Sequence, residues 1–155
     1  MSIKDRLNED MKKAMKAREA GRARLSVIRL ARGAIRNAEI DQGKELDDAG
    51  AIQVLSREIR QRRDAVEEYR RLGRHEAAKA LEDEISVLME YMPAQMTAEE
   101  VRAVVGEAIA QVGAVGPGDL GRVMGAVMPK LRGRADGRLV SETVRSLLQD
   151  MQRGE

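Results

Sequence analysis

From Ile3 to Met151 the apolar residues of this chain return every third or fourth position, and nowhere do they alternate with polar ones. That spacing puts side chains on one face of an α-helix, whereas a strand needs a spacing of two. The chain is thus confined to helices. Ile3, Leu7, Met11 and Met15 make a first stripe, and Leu25, Ile28, Ala31, Ile35 and Ala38 a second. Ile52, Leu55, Ile59, Val66, Tyr69 and Leu72 make a third; Ala77, Ala78, Leu81, Ile85, Leu88 and Met89 make a fourth. With no Phe, no Trp and two Tyr, the interior must be filled by aliphatic side chains and nine Met, which suits helix-on-helix packing.

Punctuation divides the pattern. Ser2 with Asp5 in the first turn caps the first helix, and Gly21 ends it. Gly43 closes the second, Asp47 or Asp48 caps the third, and Gly73 ends that one in the left-handed conformation. The fourth stops before Pro93. Thr97 and Glu100 then have capping-box spacing and open a fresh helix with Val101, Val104, Val105, Ala108, Ile109 and Val112 inward. A turn over 113–118 leads to Asp119 as cap of a short helix with Leu120, Val123, Met124, Val127 and Met128 inward. Asp136 caps the last helix, with Leu139, Val140, Val144, Leu147, Leu148 and Met151 inward. The expected fold class is all-α: an N-terminal helical bundle of about four helices over 1–93 and a small three-helix tail domain over 97–155.

Several chemistries lack material. Cysteine is absent and there is one histidine, so no thiol catalysis, disulfide or transition-metal site is expected. His75 is read as solvent-exposed, and Glu82, Asp83 and Glu84 spread too far around a helix to form a carboxylate cage. No phosphate-binding loop, dinucleotide fingerprint, zinc-protease motif or nucleophile elbow occurs, so neither catalytic residues nor a cofactor are expected. The first ten residues carry no apolar signal region, and no apolar run nears the ~20 residues of a membrane span. The expectation is a cytoplasmic protein.

Charge comes in blocks. Between residues 12 and 36 nine basic residues face the single acid Glu19, and residues 37–56 reverse to a net −4. Residues 57–74 are again positive and residues 75–91 again negative. Blocks of this kind either polarise the faces of a domain or let neighbouring helices pair by charge. On the second helix Arg22, Arg29, Arg32 and Arg36 collect on one face, which makes them a candidate electrostatic surface.

Residues 123–140, VMGAVMPKLRGRADGRLV, stand apart. Gly125 is expected to allow a close helix contact, Pro129 to stop its helix, and Gly133 to Gly137 to make a turn. Lys130, Arg132, Arg134 and Arg138 are the side chains that turn geometry does not account for. Beside them the N-terminus of the last helix offers free N–H groups, so phosphate is the guest the loop would suit. In the alternative, these residues only solvate the loop or pair with nearby carboxylates.

The same run, LGRVMGAVMPKLRGRADGRLVSETVRSLL, resembles the tail of the GatB/YqeY family, most specifically in KLRGRADGRLVSETV. Met1 to Leu30, with RARLSVIRL, and YMPAQMTAEEV at the boundary are similar to stand-alone members. The resemblance implies a helical bundle followed by a helical tail that, at the end of GatB in the amidotransferase, helps hold tRNA. It further implies a link to tRNA-dependent amidation, a carbon–nitrogen ligase reaction with glutamine as nitrogen donor. The catalytic domains of that complex have no counterpart in the chain. Expected partners are tRNA, or components of an amidotransferase or synthetase, and the oligomeric state stays open. Because residues 97–155 balance to zero net charge and lack stacking aromatics, RNA contact would run through shape and phosphates. The competing expectation is an adaptor that works through protein contacts of the charged bundle, without RNA.

Overall fold

The computed structural model describes residues 1–154, and every regular element among them is helical. Seven α-helices follow one another: α1 (Ile3–Lys16), α2 (Arg22–Gln42), α3 (Asp48–Arg71), α4 (His75–Met89), α5 (Ala98–Val112), α6 (Leu120–Leu131) and α7 (Gly137–Gln152). Short 3₁₀ turns at Arg18–Gly21 and Pro117–Asp119 precede α2 and α6. The chain falls into two compact units, Met1–Met92 with α1 to α4, and a second from Pro93 on with α5 to α7.

Caps fix where each helix begins. Ser2 and Asp5 form a reciprocal capping box on α1, and Thr97 and Glu100 form another on α5. Of two adjacent acids, Asp47 caps its own helix by accepting from Gly50 N–H, while Asp48 crosses the bundle and accepts from Ile3 N–H at 2.9 Å. The start of α1 is therefore closed from α3. At the other end Gly73, with φ +75°, follows Leu72, and Arg74 N–H donates to the Tyr69 carbonyl at 2.8 Å, the Schellman pattern.

The first unit buries Leu7, Ile28, Leu55, Leu88 and Tyr91 at its centre. Met15, expected on the inward stripe of α1, is 50% exposed, and Ala14 takes the inward place. The cause is Gly21, which does not end α1 but closes the 3₁₀ turn after it. A Cβ at Gly21 would lie 2.2 Å from the Ala14 carbonyl oxygen, so the chain folds directly against α1 there and only glycine fits. Leu72 is likewise 60% exposed, because it follows the last residue of α3 at the turn into α4.

The second unit packs Val101, Val105, Val123, Val127, Leu131, Val140, Val144 and Leu148 with essentially no exposure. Two expectations fail on α6. Pro129 lies inside the helix, which continues to Leu131, and Gly125 is exposed with open space where a Cβ would be. The hydrogen bond that Pro129 cannot donate would have gone to Gly125, four residues earlier, and both sit on the solvent side. On an exposed residue that carbonyl is open to solvation, so the missing bond costs little, and burial of Leu131 carries the helix onward. Asp119 also differs from expectation: it makes no side-chain cap on α6, and its carboxylate accepts from Val115 N–H at 2.9 Å instead. That bond, first among its partners, holds Asp119 below the ordinary carboxylate value.

Candidate nucleic-acid interface

The basic loop of the second unit is a clasp. Gly133, buried at φ +81°, turns the chain after α6, and Arg134 and Ala135 N–H groups both donate to the Leu131 carbonyl. Three further bonds tie the loop to the segment ahead of α5: Gln95 Nε2 to the Gly133 carbonyl at 2.7 Å, Met96 N–H to the Arg134 carbonyl at 2.8 Å, and Arg134 Nε to the Ala94 carbonyl at 3.3 Å. Asp136 caps α7 by accepting from Arg138 N–H at 3.1 Å. An anion aimed at the start of α7 would meet that carboxylate.

The four candidate cations of the loop therefore separate. Arg134 is spent inside the clasp, and Arg138 is exposed but already engaged. Lys130 and Arg132 are exposed, and their side chains make neither a hydrogen bond nor an ion pair among the described residues.

The arginine face of α2 is more concentrated. Arg22 lies loosely beside Glu19 at 3.8 Å, on the turn before the helix. Among the described residues the side chains of Arg29 and Arg36 form no hydrogen bond or ion pair, and the Arg32 guanidinium rests 2.9 Å from the Met11 sulfur, which cannot neutralise it. Like charges three and four residues apart repel along a helix, so this row costs α2 stability. The row borders a groove of about 640 Å³ between α1 and α2, floored by Leu7 and Ile35. Both acids at its rim are taken. Glu39 binds Lys4 Nζ at 2.6 Å and Leu46 N–H at 2.8 Å, which depresses its pKa and raises that of Lys4, while Asp5 serves the capping box of α1.

On α3 the arginines that face α4 are neutralised. Arg62, with its side chain only 12% exposed, lies 3.5 Å from Glu58 and 3.1 Å from Glu84 of α4, and Arg70 pairs with Glu82 of α4. The alternating charge blocks thus have two outcomes: the second positive block pairs with the negative block after it, and much of the first stays open.

Sequence reasoning missed a polar lock at the end of α4. Tyr91, 2% exposed, donates its hydroxyl to Asp10 at 2.5 Å, and the Arg6 guanidinium stacks 5.0 Å from its ring centre while donating to the Glu90 carbonyl. Arg24 of α2 binds the Glu90 carboxylate at 2.7 Å. Burial, and then the Asp10 carboxylate, push the Tyr91 pKa well above its ordinary value. A lone polar residue after a helix end carries no period to betray these partners. His75 is exposed at the first position of α4. Among the described residues no cluster of three or more His, Cys, Asp or Glu is placed to hold a metal, and no helix is long and apolar enough to cross a membrane.

Compared with known proteins, residues 4–148 match the family described as Yqey-like protein. The chain is 37% identical over 87 residues to altered inheritance of mitochondria protein 41, mitochondrial, from Lachancea thermotolerans, a match covering 56% of this chain and 46% of the relative. It is 43% identical over 60 residues to a glutamyl-tRNA(Gln) amidotransferase subunit from Thermococcus gammatolerans, covering 36% of this chain and 10% of that relative. The chain spans less than half the length of either relative it matches.

Proposed function

Because the chain belongs to the Yqey-like protein family and shares a segment with an amidotransferase subunit, we propose that it is a non-catalytic protein that contacts tRNA, or another RNA, through phosphates, alongside tRNA-amidation components. The observation that carries this reading is the pair Lys130 and Arg132, exposed and unneutralised in the last turn of α6 and at the head of the loop that Gln95, Met96 and Arg134 fasten. A fastened backbone presents these charges with only side-chain ordering left to cost on binding. The face made by Arg22, Arg29, Arg32 and Arg36 adds attraction at longer range. The test is fluorescence anisotropy of the whole chain with total tRNA at two salt concentrations. Binding should weaken as salt rises, with a logarithmic slope of roughly 0.7–0.9 per phosphate neutralised, and should lose part of that slope in K130S/R132S. No binding at low salt, or binding indifferent to those substitutions, sinks the assignment of the loop.

A second reading, an adaptor for an amidotransferase or synthetase component, draws on Leu30 and Ile40, which lie 53% and 68% exposed on α2. Under it the whole chain binds such a component while tRNA leaves the anisotropy unchanged.

A further inference from the structure

We propose that the groove between α1 and α2 is itself a phosphate-binding site, seated in the first unit and separate from the tail loop. The proposal rests on the reading above only for where the phosphate comes from, namely an RNA backbone rather than a free phosphate or nucleotide.

Three guanidiniums line the groove, and none is ion-paired with a carboxylate of the described residues. Arg29, Arg32 and Arg36 span about 10 Å along α2 at 1.5 Å per residue, enough to meet two neighbouring phosphates of a chain. Across the groove Asn8 offers an amide, and no hydrogen bond of its side chain competes for it among the described residues. Gly33 stands among the arginines, exposed and with open space where a Cβ would be, so nothing blocks approach to that stretch of the helix. The floor formed by Leu7 and Ile35 is apolar and deepens the groove, which strengthens the field of the charges above it. The two acids at the rim would oppose an anion if they were free. Glu39 is neutralised by Lys4, and Asp5, which keeps its charge at the helix cap, is outnumbered by the three guanidiniums, so the local balance stays positive. No aromatic side chain lines the groove to stack a base. The site would recognise phosphate and ignore sequence.

The experiment is nitrogen-15 NMR of the whole chain, following the arginine Nε–H signals and the Gly33 amide, with three probes: inorganic pyrophosphate, a ten-nucleotide RNA of mixed sequence, and polyglutamate. Pyrophosphate and RNA should both shift Arg29, Arg32, Arg36 and Gly33, RNA the more tightly, and R29S/R36S should weaken RNA binding about tenfold or more. R57S/R60S, which removes two exposed arginines of α3, serves as the control for diffuse charge and should change binding less than threefold. Loss as large in that control overturns the proposal, because the groove would then be no special seat. Shifts confined to residues around Arg132 overturn it and leave the tail assignment standing. Shifts in the groove with RNA and none in the tail support it and remove the tail assignment instead. Groove shifts with pyrophosphate but not RNA uphold the phosphate site and overturn its RNA source. A response to polyglutamate with no shift from either phosphate probe overturns the proposal in favour of an acidic protein partner.

Discussion

Two arginine-rich helices of the first unit use their charge in opposite ways. In α3, Arg62 is nearly withdrawn from water between Glu58 and Glu84, and Arg70 reaches Glu82, so these cations fasten α3 to α4. In α2, Arg29, Arg32 and Arg36 border a groove and form no ion pair among the described residues. Arginine content alone does not distinguish a structural helix from a binding one. A carboxylate reaching the guanidinium from another element marks the cations that hold the fold, and its absence only leaves the others open to a ligand.

The largest effect should come from Arg62→Ala. It leaves Glu58 and Glu84 facing each other without the cation between them, and since the cluster is half-buried the loss should fall between surface and buried ion pairs, at about 2 kcal/mol in urea unfolding. A loss no larger than that of an α2 arginine would erase the contrast. Next is Tyr91→Phe, which strands the Asp10 carboxylate and should cost about 1 kcal/mol at neutral pH. Its pH dependence has a definite sign. Because the folded Tyr91 pKa is raised, its stabilisation is whole below the ordinary value of 10 and is lost as pH rises above it, so Tyr91→Phe should flatten the alkaline fall in stability. The Glu39 pKa is depressed, so its contribution is present above the ordinary carboxylate value and disappears at acid pH, and Glu39→Gln should flatten that limb.

A smaller gain is expected for Gly33→Ala, which fills open space on an exposed helix and should add roughly 0.5–1 kcal/mol. Smallest is the effect of Arg29→Ser and Arg36→Ser on stability, which should stay within about 0.5 kcal/mol of zero while phosphate binding falls. Together with Arg62→Ala, this last pair separates a cation that holds the fold from one that the fold can spare.

Helix class and most helix boundaries were legible because caps and four-residue spacing are local. Ser2, Asp47, Thr97 and Asp136 each act within four residues of themselves, and the structure finds each at its helix start. Pro129 and Gly125 misled for the same local reason: their rules assume a typical helix, and burial of Leu131 outweighed them. The candidate cations were visible as residues, but their fates were not. Arg134 and Arg132 are two positions apart in one loop, and only tertiary contacts decide that one is spent on Ala94 and the other is left to solvent. The groove needed Lys4, Leu7 and Asn8 of α1 brought beside α2, and Lys4 set against Glu39, across separations that no periodicity encodes.

The bond from Ile3 N–H to Asp48 has a bearing on how the chain acquires its shape. A ribosome releases the first helix well before the residue that closes its opening turn. Until Asp48, forty-five residues after Ile3, has emerged and α3 has docked, that turn has its local box but not its distant acceptor. The beginning of the protein is thus finished late, and a nascent fragment ending before Asp48 should expose its first turn to proteases that the complete bundle resists.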